Sequence, residues 1–436
     1  MMSTIKTSVG HLAVLGLLAI AANAQKSGPD YFPPPDTAGG WRTAQDPAKA
    51  LKVAGIDPKR LDWAFDYAQR SSQHGGLLVV RHGWLVYERY YGKGHRDATP
   101  SAASVAKTYT SIAAGIMLNE YKDRFPEGLE TRIFSEKYLP EAFPLTDPRK
   151  ADIKLGQILA MTSGMYEGGS NPGIVKGENV KLDPPPPMDR SVGDLLSLRL
   201  PMWTSPGGGY NYCTTCLTAV SMLIHKVTGK LMQDYIDEKL AKPMQWGPWG
   251  YPPPRAFGGP PGAPPRKAST PPPAAAGPRE TPGGAGIAAR STDMLRFAYL
   301  LLHKGRWGKQ QLVPAGYVEL AGKPSSYNPH TPYSLQFEPN ADGHVAGAPR
   351  DAFFKSGAGG FGICIIPSLD MVIWKMGGGD GQYTWSPSGL QDTFKYDGSR
   401  DGWKPRPSNQ FTDNEPIGTD VALRRTTEMV VAAVVK

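Results

Sequence analysis

The chain has 436 residues, of which 40% are hydrophobic and 20% charged, a composition that excludes disorder of the whole chain. This length is enough for one large domain or for two lobes that share a core. The formal net charge is +9, but the basic residues are scattered and form no patch interleaved with aromatic residues, so nucleic acid is not expected as a partner.

The N-terminal segment is predicted to be an export signal. Lys6 provides a positive charge, residues 12–22 (LAVLGLLAIAA) form an apolar stretch, and Ala22-Asn23-Ala24 offers a cleavage site of small residues. The apolar stretch is shorter than a membrane-spanning helix requires, and the segment has no cysteine for lipid attachment. We therefore expect residues 1–24 to be removed and the mature chain to be periplasmic or secreted, without a membrane span.

Residues 25–50 are rich in Pro, Gly and small polar residues, and we expect an irregular arm there. A single two-lobed domain is expected over 51–436. Its first helix is predicted to begin at Asp57-Pro58, which suits an N-cap and a first helical turn. Two apolar runs around His82-Gly83 then predict a β-hairpin over 75–92.

The middle of the chain, over 105–345, is predicted to be mainly helical. The apolar spacing predicts helices over 104–119, 153–162, 214–228, 231–241 and 292–304. Ser291 or Thr292 is expected to cap the last of these helices, and Gly305 is expected to end it.

A proline-rich stretch at 251–282 interrupts this pattern. From 252 to 280 its only large apolar residue is Phe257, so the stretch cannot bury enough surface to offset the entropy cost of ordering. We expect a surface insert, and a contact with a partner protein through its proline-rich sequence is one interpretation of it.

Strands are predicted again over 360–366 and 371–377, and a closing helix is predicted after an N-cap at Thr419. The simplest assembly of these elements is an α+β fold. In it, both chain ends build one central antiparallel sheet, the terminal helices cover one face of the sheet, and an all-helical lobe lies beside it. A cleft between the two lobes is the expected binding site.

The three cysteines divide into a close pair and a single residue. Cys213 and Cys216 are expected to form a structural pair, either as thiols or as a local disulfide. A redox role is not expected for them, because the sequence lacks a thioredoxin-like βαβ context. Cys364, within an apolar strand, is expected to be a buried thiol.

Ser104 and Lys107 lie three residues apart at the start of an apolar helical stretch, SAASVAKTYTSIAAGI. Free N–H groups at a helix N-terminus favour negative charge on the serine, and a lysine at i+3 lies on the same face. Burial favours the neutral amine that a general base requires. The spacing alone is weak evidence, because Ser3 and Lys6 repeat it within the export signal. A capping serine beside a solvated lysine is the alternative interpretation.

Two further motifs contain groups that suit the same chemistry. In PGGGYNYCTTC (206–216), Tyr210 and Tyr212 precede a helix, and a phenol near an ammonium group is a candidate proton relay. In FFKSGAGGFG (353–362), Lys355 and a hydroxyl at the sheet edge suit the binding of a carboxylate. Two tyrosines that pack between the lobes and a glycine-rich turn are the alternative interpretations.

The order of these three motifs resembles the serine β-lactamase-related hydrolases. This family includes class C β-lactamases, D-alanyl-D-alanine carboxypeptidases, β-lactamase-fold esterases and nylon-oligomer hydrolases. The segments GGLLVVRHGWLVYERYYG, ADIKLGQILAMTSGM and KSGAGGFGICIIPSLDMVIWKMG are also similar to family segments. The resemblance covers residues 50–380 apart from the proline-rich insert, and it implies the β-lactamase/transpeptidase-like fold.

The resemblance also implies a role for each motif. Ser104 would be the nucleophile, Lys107 its base and Tyr212 a second proton shuttle. Backbone N–H groups of Ser104 and of the strand beginning near Ala358 would stabilise the oxyanion. The implied substrate-binding and oxyanion positions are Lys355, Ser356, Gly357, Ala358 and Thr214. No metal or cofactor is implied, and the 8 histidines include no H-x-x-x-H or H-x-H pair.

Three features depart from the family pattern. The family's Tyr-x-Asn motif reads Tyr212-Cys213-Thr214 here, and threonine cannot make both contacts of an asparagine amide, which argues against efficient β-lactam turnover. Lys355 stands closer to the following GGFG than the equivalent lysine does in the class C pattern. The sequence therefore does not decide whether this strand, and Lys355 with it, is offset by one residue from the family register. A long Pro- and Gly-rich loop from Tyr166 to Pro187 is expected to shape the pocket.

The favoured hypothesis is an exported serine hydrolase that cleaves a small-molecule or peptide-like ester or amide through an acyl-enzyme on Ser104. The first alternative is a weakly catalytic sensor of cell-wall peptide or β-lactam with the same fold. The others are a class C-like β-lactamase and an envelope protein that binds a partner through residues 251–280.

Overall fold

The computed structural model describes residues 31–169, 171–252, 280–387 and 419–435. The predicted export signal, the first residues of the expected arm and nearly all of the proline-rich insert lie outside the described residues.

The α-helices of the described ranges are α1 (Pro47–Ala54), α2 (Pro58–Gln69), α3 (Ala106–Glu120), α4 (Leu155–Leu159), α5 (Leu196–Arg199), α6 (Cys216–Thr228), α7 (Met232–Ile236), α8 (Ser291–Leu302), α9 (Ala315–Ala321) and α10 (Thr419–Ala432). α2 begins as predicted, since the Asp57 carboxylate accepts a hydrogen bond from the Lys59 N–H and Pro58 is the first helical residue. Within the described ranges, no helix combines the length and the apolar character that crossing a membrane requires.

The strands are β1 (Gly75–Arg81), β2 (Trp84–Tyr91), β3 (Gly173–Val175), β4 (Glu178–Val180), β5 (Arg306–Trp307), β6 (Gln310–Gln311), β7 (Glu338–Pro339), β8 (Phe353–Gly357), β9 (Phe361–Ile366) and β10 (Met371–Met376). Six of them form an antiparallel sheet in the order β2-β1-β10-β9-β8-β7. β1 and β10 are neighbours, with Gly76 opposite Met376, so both ends of the chain build one sheet. This is the predicted α+β fold.

Each face of the sheet has its own hydrophobic core, because side chains alternate along a strand. Ile373 of β10 packs in the core beneath α2 and α10, together with Leu61 and Leu423. Its neighbour Trp374 points to the opposite core, which continues through α3, α6 and α8 into the helical lobe. The start of α3, with the Ser104–Lys107 motif, therefore lies where the sheet meets the helical lobe.

Helix α1 corrects the expectation of an irregular arm up to residue 50. It begins at Pro47, and the Asp46 carboxylate accepts a hydrogen bond from the Lys49 N–H at 2.9 Å. The same Asp-Pro signal predicted α2, so the sequence contained the information needed to locate α1.

The predicted cap of α8 is wrong. Arg290 occupies the N-cap position, and no side chain caps this helix. The Ser291 hydroxyl accepts a hydrogen bond from the Trp374 indole N–H at 3.1 Å, and the Thr292 hydroxyl donates one to the Asp36 carboxylate at 2.7 Å. Both hydroxyls are engaged in tertiary contacts instead of capping the helix.

Other helix boundaries, including those of α8, α10 and α4, differ from the prediction by one to five residues. α8 ends at Leu302, before Gly305, which has a φ of 81°. Thr419 is the first residue of α10 and not its N-cap. α4 is shorter than predicted, covering Leu155–Leu159, and the chain leaves the helical conformation at Met161, which has a φ of 62°.

Cys213 and Cys216 form a disulfide, which decides between the two forms predicted for this pair. Cys364 is a buried free thiol, as predicted.

His344 lies between two carboxylates at the edge of the sheet. Its Nε2 is 2.7 Å from Glu338 Oε1, and its Nδ1 is 2.5 Å from Asp342 Oδ1. Glu338 also pairs with Arg424 of α10 at 2.5 Å. The hydrogen bond with Glu338 raises the pKa of His344, and burial opposes this only in part. The protonated imidazole therefore stabilises the folded chain through its ion pairs with Glu338 and Asp342.

Because the folded-state pKa of His344 is raised, its contribution to stability is fully present below the unfolded pKa of about 6.5 and is lost as the pH rises through the folded pKa. From about pH 6 to about pH 8, the free energy of unfolding of the wild type should therefore fall more than that of His344→Gln. Urea unfolding at both pH values measures this difference. An equal pH dependence of the two proteins would contradict the assignment.

Candidate active site

Ser104 lies on a single 3-10 turn, Ala103–Val105, directly before α3. A neighbouring loop holds this turn, because the Ala102 N–H donates to the Ile287 carbonyl at 2.8 Å. The first three turns of α3 are completely buried, so the helix fixes the turn from its other side. The serine is thus presented by the N-terminal end of a central helix, as the sequence predicted.

Lys107 points back from α3 to Ser104 and is completely buried (0% exposed). Its Nζ lies 2.9 Å from Ser104 Oγ, 3.2 Å from Thr214 Oγ1 and 2.5 Å from the Gly284 carbonyl oxygen. Burial lowers the pKa of Lys107 well below its usual value, the charge of Lys355 lowers it further, and the charge of Glu167 opposes both. A neutral amine at hydrogen-bond distance from a hydroxyl is equipped to take its proton.

Lys355 of β8 reaches the same site from the sheet. Its Nζ donates hydrogen bonds to Tyr212 Oη at 3.1 Å and to Tyr333 Oη at 2.5 Å. The Nζ atoms of Lys107 and Lys355 each lie 4.8 Å from the centre of the Tyr212 ring. Tyr212 therefore stands between two amines, a position from which a phenol can exchange protons.

The register of β8 is settled by its pairing with β9, in which Lys355 lies opposite Ile363. No one-residue offset is present, and Lys355 faces the helical lobe. Ser356 points to the other face of the sheet, where it lines a small gap with Leu423 and Arg424 of α10. The structure thus does not bring Ser356 to the site, because adjacent residues of a strand point to opposite faces.

The end of β8 approaches the turn that carries Ser104. A Cβ added at Gly357 would lie 2.5 Å from the Ala102 carbonyl oxygen, so only glycine permits this contact. Gln382 connects the same two segments, since its Nε2 donates to the Ser101 carbonyl at 3.1 Å and to the Ala358 carbonyl at 3.0 Å. The backbone at Ala358 is thereby held beside the serine turn.

Glu167 was not predicted from the sequence. Its two carboxylate oxygens accept hydrogen bonds from the Thr214 and Thr215 N–H groups, each at 2.8 Å. These N–H groups precede α6, so the carboxylate caps this helix from a distant loop and complements its positive end. It fixes the segment that contributes Tyr212 and Thr214.

The disulfide tightens the same segment. Thr214, which replaces the asparagine of the family motif, lies between Cys213 and Cys216, and both cysteines are buried. The long loop after Tyr166 packs beside it, since Asn171 Nδ2 donates to the Tyr212 carbonyl at 3.1 Å. The position of Tyr212 and Thr214 is thus set by the disulfide, by Glu167 and by this loop.

Tyr333, Gly284 and Gln382 were likewise not predicted from the sequence. Each reaches the site from a segment outside the three motifs, and no local pattern marks them. The described residues contain no group of three or more His, Cys, Asp or Glu side chains arranged to hold a metal ion.

The fold, a central antiparallel sheet flanked by helices, is of the β-lactamase/transpeptidase type. A family model, Beta-lactamase, matches residues 64–376, and the chain therefore belongs to the beta-lactamase family. This confirms the resemblance inferred from the motifs. A search of curated proteins finds no match.

Solved structures share this fold at low sequence identity. EstCE1, described as a hydrolase with promiscuous acyltransferase activity, is 18% identical, with a TM-score of 0.54 over 73% of this chain and 93% of its own. A penicillin-binding protein homologue from Caulobacter crescentus is 15% identical, with a TM-score of 0.53 over 74% and 92%. A class C β-lactamase is 14% identical, with a TM-score of 0.53 over 74% and 93%.

Glu167→Gln removes the negative charge that raises the pKa of Lys107 and keeps the size of the side chain. The pKa of Lys107 should then fall further, so Ser104 should react with a fluorophosphonate at lower pH than in the wild type. The second-order rate of labelling as a function of pH measures this shift. Glu178→Gln, on the exposed strand β4, is the matched control and should leave the profile unchanged. A profile for Glu167→Gln that stays in place or moves to higher pH would contradict the assignment.

Proposed function

We infer that this protein is an exported serine hydrolase that cleaves an ester or amide through an acyl-enzyme on Ser104. The observation that supports this most directly is the 2.9 Å distance between Ser104 Oγ and the buried Nζ of Lys107. Desolvation lowers the pKa of the amine and so favours the form that accepts a proton, and the family contains serine enzymes that use this pair of residues.

In the proposed acylation, neutral Lys107 accepts the Ser104 hydroxyl proton while Oγ attacks the acyl carbon. The backbone N–H groups of Ser104 and Ala358 stabilise the resulting oxyanion. The tetrahedral intermediate then releases the alcohol or amine, which receives a proton from Tyr212. Lys107 then passes the serine proton to the Tyr212 phenolate, so both groups return to their starting forms. In the second half, a water molecule attacks the acyl carbon and gives a proton to Lys107, and this proton passes to Ser104 Oγ as the carboxylic acid leaves.

An esterase activity is favoured over β-lactam hydrolysis. Thr214 Oγ1 contacts Lys107 at 3.2 Å, and its short side chain cannot present the amide of the family's asparagine to a substrate. EstCE1, which shares the fold, is described as a hydrolase with promiscuous acyltransferase activity, and transfer of an acyl group to Ser104 is the first step of the proposed reaction. Export rests on the predicted signal at residues 1–24, and a partner contact through residues 251–282 stays a proposal of the same kind.

A sensor that stays acylated by cell-wall peptide or β-lactam is the second candidate, because Thr214 departs from the family motif. The two functions differ in the lifetime of the acyl-enzyme. Intact mass followed over time after mixing with a 4-nitrophenyl ester and with a chromogenic cephalosporin separates them. Rapid turnover of the ester supports the enzyme, and a label that persists for hours supports the sensor.

We expect a fluorophosphonate probe to add one label per chain, on Ser104, and Ser104→Ala to abolish the labelling. Ser111→Ala is the matched control, since Ser111 is a buried serine of α3 that hydrogen-bonds Tyr317 at 3.0 Å, and this variant should be labelled as fully as the wild type. Intact mass and peptide mapping locate the label. Labelling that survives in a folded Ser104→Ala variant would exclude the covalent mechanism.

A further inference from the structure

Among the described residues, three centres at the reaction site are candidates for binding a substrate anion, and each is engaged by a partner within the protein. They are the amine of Lys107, the ammonium group of Lys355 and the N-terminal end of α6. A substrate that carries a negative charge needs at least one such centre for recognition, because a buried anion without a partner is strongly disfavoured.

Lys107 is the first of these centres. Its Nζ already has three oxygen partners, which belong to Ser104, Thr214 and Gly284. A neutral amine also offers an anion no Coulomb attraction, so the state that suits Lys107 for catalysis makes it unsuited to binding a carboxylate.

Lys355 is the second centre, and it is only 3% exposed. Its Nζ lies between the hydroxyls of Tyr212 and Tyr333, at 3.1 and 2.5 Å, and against the faces of both rings at 4.8 and 4.7 Å. Ser356, which would have to join it in binding a carboxylate, points to the other face of the sheet. The Lys-Ser-Gly segment therefore does not present a cation and a hydroxyl together to a ligand.

The N-terminal end of α6 is the third centre. Free N–H groups there would attract an anion, but the Glu167 carboxylate accepts hydrogen bonds from the N–H groups of Thr214 and Thr215. Glu167 also acts electrostatically on Lys107, so its negative charge is felt at the reaction site. It would repel a substrate anion at the same place.

We propose that the site selects esters that are neutral around the scissile bond and discriminates against substrates with a carboxylate there. This inference rests on the proposed hydrolase function and adds the charge of its substrate class. It separates this protein from an enzyme that recognises the carboxylate of a peptide or of a β-lactam.

Two esters of the same shape test the proposal: 4-acetoxybenzamide, which is neutral, and 4-acetoxybenzoate, which is an anion. After division by the rate of hydroxide-catalysed hydrolysis of each ester, kcat/KM should be at least about tenfold higher for the amide-bearing ester. The release of the two phenols by the full-length mature protein at pH 7.5 is measured by chromatography. Equal or faster turnover of the anion would overturn the proposal and leave the hydrolase function standing. Failure to hydrolyse either ester, together with no labelling that depends on Ser104, would overturn both.

Tyr333→Phe tests the cause of the discrimination. It removes one acceptor from Lys355 and leaves an ammonium hydrogen available to an anionic substrate. The ratio of the corrected kcat/KM values, neutral ester over anionic ester, should fall at least about threefold. Tyr138→Phe is the matched control, since it also removes one buried hydrogen bond, to the Arg124 carbonyl at 2.6 Å, and should keep the wild-type ratio. A ratio unchanged in a folded Tyr333→Phe variant would show that the engagement of Lys355 is not the cause.

Discussion

Burial of the Lys107 amine beside Ser104 is the interaction on which the rest of the site depends. A charged amine in this position would carry a large desolvation cost, so burial favours the form that accepts a proton. Burial in turn requires several separate segments of the chain, because the oxygen partners of Nζ come from the turn before α3, from the segment before α6 and from the loop that precedes α8. By enclosing the Lys107 amine, the fold lowers its pKa and favours the form that can act as a base.

The charged groups around this amine have opposing effects on its pKa. Lys355 favours the neutral form of Lys107, Glu167 opposes it, and Tyr212 stands between the two amines. Glu167 has a second task, since it holds the N–H groups before α6 and with them the backbone of Thr214. Because these groups bind one another, few of their charges are available to a ligand. The contacts that prepare Lys107 for catalysis are therefore the same contacts that, under our proposal, disfavour an anionic substrate.

The sequence was most informative where the signal was local. The hairpin around His82-Gly83, the Asp57-Pro58 helix start and the i, i+3 proximity of Ser104 and Lys107 depend on neighbours in the chain. Glu167 and Gln382 could not be predicted, because their partners lie 47 and 281 residues away. The error at Ser356 was avoidable, since a strand that directs Lys355 to the site must direct the next residue away from it.

The acylation rate of Lys107→Ala, measured by rapid mixing with a neutral 4-nitrophenyl ester, tests the central claim most directly. The best control is Lys150→Ala, because Lys150 is also completely buried and burial lowers its pKa to about 8. Its Nζ donates hydrogen bonds to the Thr146 hydroxyl and the Leu198 carbonyl, away from Ser104. We predict that Lys107→Ala loses at least about 10²-fold in acylation rate while Lys150→Ala keeps the wild-type rate. Acylation of a folded Lys107→Ala variant at the wild-type rate would contradict the assignment of this amine as the base.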